Sequence, residues 1–173
     1  MDRIFESFLQ HQYEEGTDLA RSSDQLELIP LDGPPPQHYV AEFRCTGLVQ
    51  APGGEIVEAD RFAVGIWMPD DYLSEADPFK IVTFLGPAEA FHPQIRAPWI
   101  CLGRLRPGMS LQEILFQAWE VITWRKVTMR EDDALNAEAC AWARHNSHRF
   151  PTDTRPLKRR TLDFTIESLG AAT

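Results

Sequence analysis

Phe91-His92-Pro93-Gln94-Ile95 is followed, nine residues after His92, by Trp99-Ile100-Cys101-Leu102-Gly103. This stretch sets one thiol on a proline-punctuated segment, between apolar neighbours and just ahead of a strong amphipathic pattern. A cysteine flanked by Ile and Leu is ordinarily a core residue. One that is held by such packing and yet opens onto a loop is what a nucleophilic or thioester-forming enzyme needs.

Downstream, Ser110 and Glu113 form an S-x-x-E capping box, and Leu111, Ile114, Leu115, Ala118, Trp119 and Ile122 supply the apolar stripe of the helix behind it. A further helix starts at Asn136 as N-cap, with Glu138 in its first turn, and runs to about His145. Upstream, Tyr39–Cys45 and Arg61–Trp67 read as strands, with the Pro52-Gly53-Gly54 turn between them, and Phe79–Phe84 reads as a third. Ile4, Phe5, Phe8, Leu9 and Tyr13 recur at helical spacing near the start, in a helix expected to end near Gly16 or Ala20. Sequential strands joined by turns, with helices only before and after, describe an α+β fold: an antiparallel meander packed on an N-terminal helix and C-terminal helices.

A chain of 173 residues supports one well-buried core. The expected organisation is a domain over residues 1–150 and a tail over 151–173, in which Leu162, Phe164 and Ile166 alternate either as an extra strand docked on the domain, the preferred reading, or as a segment that adds to a partner's sheet edge. The net charge of −9 argues against a general nucleic-acid or anionic-membrane binder, which needs clustered Lys and Arg. The first residues lack the basic-then-apolar pattern of a secretory signal, and no segment approaches the roughly 20 apolar residues of a membrane span. A cytoplasmic location is expected. Cys45, Cys101 and Cys140 are odd in number and widely spaced, so neither a disulfide framework nor a zinc cluster is indicated. His145 and His148 lie three apart with no third ligand in sight, and no metal or cofactor is expected.

The order of elements and motifs resembles the ubiquitin-conjugating enzyme (UBC) family over roughly residues 1–150. His92-Pro93-Gln94-Ile95 is similar to the family's His-Pro-Asn-Ile, and Ile100-Cys101-Leu102 to its Ile-Cys-Leu. Pro69-Asp70-Asp71-Tyr72 resembles its P-x-x-Y-P turn, with Leu73 where the second proline is usual. Asp132–Ala139 resembles its Asp-Pro-Leu-Asn-Pro-Glu-Ala segment without the prolines. The resemblance implies a UBC-like fold and a transferase. Cys101 would accept a ubiquitin-like modifier as a thioester from an adenylating (activating) enzyme and pass it to an amine, usually a target lysine.

The chemistry is reasonable for these residue types. A thiol of ordinary pKa, about 8.5, is a few per cent thiolate at neutral pH, enough to exchange with an activated thioester. The attacking lysine must lose a proton from an ammonium of pKa about 10.4, so a nearby carboxylate helps, and Asp133 is the candidate. By resemblance Gln94 stands where the family's asparagine supports the oxyanion or shapes the loop, and His92 is structural rather than a base. Gly103 replaces an acidic residue common in the family, Arg104–Met109 lacks its Trp-Ser-Pro, and the first helix is acidic through Glu6, Glu14, Glu15 and Asp18 where basic residues are usual. Such departures resemble bacterial relatives that sit in conjugation systems linked to antiviral defence.

Two other readings compete. A non-catalytic module of the same fold would bind a ubiquitin-like protein or another partner, and retention of Cys101 argues against it. A cysteine hydrolase would use His92 as base for Cys101 and needs an orienting third group and an oxyanion hole. Cys45 and Cys140 are assigned to packing. Trp99 is either a wall of the groove beside Cys101 or a core filler.

Overall fold

The computed structural model describes residues 2–151 and 153–159. Helix α1 (Arg3–Arg21) begins at Asp2, whose carboxylate accepts the Ile4 N–H at 3.2 Å. Phe5, Leu9, Gln12, Gly16 and Leu19 form its buried stripe. The helix passes Gly16 and ends at Arg21, next to Ala20, the second of the two expected ends. A Cβ at Gly16 would lie 2.7 Å from a Leu111 methyl and 2.9 Å from a Leu28 methyl, so Leu111 and Leu28 pack directly onto the helix backbone here. The glycine is retained for packing, at the usual cost of glycine in a helix.

Five strands follow: β1 (Leu26–Pro30), β2 (His38–Phe43), β3 (Gly47–Gln50), β4 (Ile56–Ala59) and β5 (Phe62–Trp67). Next come a one-turn helix α2 (Pro78–Ile81) and strand β6 (Val82–Gly86). One antiparallel sheet has the order β1-β2-β5-β6, and β3 pairs with β4 in a separate hairpin. Tyr39, Ala41 and Phe43 stand opposite Ile66, Val64 and Phe62. Phe84 and Val82 continue the same rows from Val64 and Ile66. This is period-two alternation, with one face on the core.

The sheet has four strands where the sequence predicts three. Leu26-Glu27-Leu28-Ile29-Pro30 ends in a proline, which donates nothing to a ladder and is tolerated because β1 lies at the sheet edge. The predicted strand over Phe79–Phe84 is also corrected. Asp77 caps Phe79 N–H at 3.0 Å and Pro78 takes the first helical position, so the chain turns through α2 before extending.

A short hairpin, β7 (Ile95–Arg96) and β8 (Trp99–Ile100), leads to helix α3 (Leu111–Ile122). The Ser110–Glu113 capping box is fully formed. Buried Gln12 of α1 accepts the Leu111 N–H at 2.7 Å, which ties the two helices together. Helix α4 (Ala137–His145) starts at Asn136, whose side chain accepts the Ala139 N–H at 3.0 Å. Phe43, Val64, Phe84, Leu9, Leu111 and Leu115 belong to the main core. A second cluster of Leu48, Phe91, Trp124, Ala139 and Ala143 joins the β3–β4 hairpin to α4.

Over residues 153–159 the chain lies against the domain. Gln25 donates to the Pro156 carbonyl at 2.9 Å, and Leu157 is buried in the main core. The alternating residues Leu162, Phe164 and Ile166 fall outside the described residues. Among the described residues no helix is long and apolar enough to cross a membrane.

Candidate functional site around Cys101

The segment from Phe91 to Leu102 is fastened at both ends. Phe91 N–H donates to the Leu48 carbonyl at 2.8 Å, and Phe84 N–H donates to the Pro98 carbonyl at 2.8 Å. Between them, Ile95 pairs with Ile100, both buried. These apolar anchors hold the hairpin down while its tip, Arg96-Ala97-Pro98-Trp99, faces solvent. Trp99 is 49% exposed, so it is a surface wall and not a core filler.

His92, Gln94 and Cys101 are brought into one network. Gln94 N–H donates to Nδ1 of His92 at 3.0 Å. Cys101 N–H donates to the Gln94 carbonyl at 2.8 Å, and the Gln94 side-chain amide donates to the Cys101 carbonyl at 2.8 Å. Gln94 therefore clamps the cysteine backbone from both sides, and the N–H that makes this bond is engaged in the ground state. His92 is buried, its ring 4.6 Å from that of Trp124 in an edge-on arrangement. Burial holds its pKa down to about 3, with hydrogen bonding to the Lys126 backbone acting in the opposite sense. Accepting through Nδ1, the neutral ring carries its proton on Nε2. It props the loop and is not presented to Cys101 as a base.

Of the three thiols, Cys45 and Cys140 are fully buried, and burial pushes Cys45 up to about 12. Cys101 alone is partly exposed. Leu102, immediately after it, is buried and anchors the turn. Gly103 follows with φ +93°, a left-handed conformation that favours glycine.

Asp133 is not joined to this network by its side chain. It lies in a single 3-10 turn, Glu131–Asp133, and its carboxylate stands 3.3 Å from Arg130 Nε. The link is through the backbone three residues on, where Asn136 N–H donates to the Pro93 carbonyl at 3.0 Å. That bond sets the acidic turn beside the His92-Pro93 segment. The tyrosine of the Pro69–Tyr72 turn serves the other flank: Tyr72 is buried, and its hydroxyl donates to the Met109 carbonyl at 2.7 Å, bracing the loop between Cys101 and α3.

Two residues of the site have no signal in the sequence. Trp124 takes φ 62°, reversing the chain after α3, and packs on His92, Trp142 and Phe150. That reversal brings the Lys126 ammonium onto the Leu102 carbonyl, next to the thiol-bearing residue. A Cβ on Gly103 would lie 3.1 Å from Lys126 Nζ, so the ammonium packs closely over the bare glycine.

The site is thus a partly exposed thiol on a braced turn with an ammonium against its backbone. Comparison of the sequence with protein-family models and with curated proteins finds no match to either.

Proposed function

We propose that the protein is a UBC-like conjugating enzyme that carries a ubiquitin-like modifier as a thioester on Cys101 and transfers it to a lysine amine. The observation that carries this reading is the contrast among the thiols. Cys45 and Cys140 are sealed, while Cys101 meets solvent on a backbone clamped by Gln94. Transthiolation needs an accessible sulfur that can meet a bulky activated thioester, and it needs no strong base beside that sulfur.

Further support comes from the family motifs in order along the chain and from the α+β arrangement of one N-terminal helix, an antiparallel four-stranded sheet and later helices. Loading forms a bond from Cys101 Sγ to the modifier's terminal carbonyl and releases the activating enzyme's thiol. In transfer, a lysine amine attacks that carbonyl, the C–S bond breaks, and the proton lost by the amine is taken up by a nearby acceptor. Asp133 is our candidate for that acceptor, and its exposed pair with Arg130 is of low cost to break. A role in bacterial antiviral defence belongs to the same proposal through the resemblance alone.

The test is incubation with the cognate adenylating enzyme, its β-grasp modifier and ATP. A thiol-reducible adduct on Cys101 is expected, converted in Cys101→Ser to an adduct that resists reduction. One observation favours a second reading, a binding module without catalysis: the Gln94 amide is engaged by the Cys101 carbonyl instead of being free for an oxyanion. Modifier binding without any adduct would select that reading.

A further inference from the structure

Between Glu89 and Glu113 the chain carries no carboxylate, although the protein as a whole has a net charge of −9. That stretch contains Arg96, Arg104 and Arg106 and includes Cys101. The fold adds Lys126, whose ammonium is held by the neutral Leu102 carbonyl. Arg96 and Arg104 are exposed and have no ion-pair partner among the described residues, while Arg106 pairs with Glu113 only at 3.7 Å.

The neighbouring carboxylates sit on the α4 side of the segment and are partly matched. Asp132 and Asp133 share Arg130, Glu131 holds Arg144 at 2.8 Å, and Glu138 accepts from Gln50 at 3.2 Å. Only Glu89 shares a cleft with Arg96, a cavity of about 350 Å³ whose lining also includes Ala97 and Asn136. The hairpin tip presents Arg96, which makes no ion pair among the described residues, beside a half-exposed Trp99 that stands opposite it in the β7–β8 pair.

We infer that the surface around Cys101 is a docking face for an acidic polypeptide segment, with an apolar side chain laid on Trp99 and flanking carboxylates on Arg96, Arg104 and Lys126. This inference rests on the reading of Cys101 as the reacting group and names the chemistry of the acceptor that approaches it: a lysine set among Asp or Glu residues. Local positive charge on an otherwise acidic protein repels basic partners from this face and draws acidic ones to it, an effect that salt weakens.

The test needs the chain alone. Thiol exchange at Cys101 is timed with an aryl disulfide dicarboxylate and with the dicationic disulfide cystamine, each rate divided by that for N-acetylcysteine amide. At low salt the normalised preference for the anionic reagent should be roughly 10-fold, collapsing as ionic strength rises. Arg96→Glu combined with Arg104→Glu should abolish or invert it with an unchanged melting temperature, since neither side chain makes a hydrogen bond or ion pair among the described residues.

In a second arm, an acidic peptide with a central Leu should protect Cys101 from iodoacetamide where its Lys-for-Glu counterpart does not, and Trp99→Ala should remove the protection. Equal normalised rates, or equal protection by both peptides, would overturn the inference. A chain that loads its modifier yet shows no charge preference refutes this docking face alone. A chain that shows the preference yet never loads refutes the conjugation reading and with it the acceptor assignment, leaving only an anion-selective thiol.

Discussion

The sheet with α1 and α3 differs from the small aromatic cluster around Cys101 in how completely its polar groups are satisfied. In the main core the inner rows of β2, β5 and β6 are apolar, and buried Gln12 is used to cap α3. Around Cys101, buried Gln94 Oε1 and Trp124 Nε1 lack a protein partner and His92 Nε2 has only the Lys126 backbone near it, whereas Gln117 Oε1 is the one such atom elsewhere among the described residues. Buried polar atoms without close protein partners thus gather in this cluster, where the main core has almost none. The left-handed Trp124 lies in the same cluster.

The comparison breaks most visibly in the core. Phe43→Ala, at a fully buried position between β1 and β5, should cost about 3–5 kcal/mol in urea unfolding, with no local escape from the cavity. Acid should act on the other region. His92 is held neutral when folded, whereas the unfolded chain binds a proton near the ordinary value of 6.5. Its contribution is fully present above that pH and is lost as pH falls towards about 3, by up to ~1.4 kcal/mol per pH unit. The difference in stability between wild type and His92→Asn should therefore shrink over that window.

Gln94→Ala removes the donor to the Cys101 carbonyl and should cost about 1–3 kcal/mol, while also altering the rate of Cys101 alkylation. A comparable loss with an unchanged alkylation rate would show that the clamp serves the fold only. The smallest effect belongs to the main body. Ser110→Ala removes one half of the α3 capping box and should cost about 1 kcal/mol without touching thiol reactivity.

The parts of the molecule legible in the sequence are those ruled by local chemistry. The Ser110 box, the Asn136 cap, the stripe of α1 and the alternation of β2 and β5 each follow from residues a few positions apart. What escaped depends on distant partners or on competing local signals. β1 is hidden by Pro30, and β3 and β4, four residues each, are too short to show a period. α2 was concealed inside an apolar run, although Asp77-Pro78 is a start signal.

At the site, the Phe91–Gly103 stretch directed attention to Cys101, His92 and Gln94, and the fold links these three through direct hydrogen bonds. It could not reveal Lys126, which reaches Leu102 only because Trp124 turns the chain at the end of α3. Nor could it reveal that the Asp133 carboxylate is engaged by Arg130.

The central claim is that Cys101 carries an acyl group. The intact mass of the protein after incubation with adenylating enzyme, modifier and ATP tests it most directly. The account predicts a mass increase of one modifier, located at Cys101, removed by reductant in the wild type and persistent in Cys101→Ser. An unmodified mass, or an adduct that survives Cys101→Ala, would contradict it.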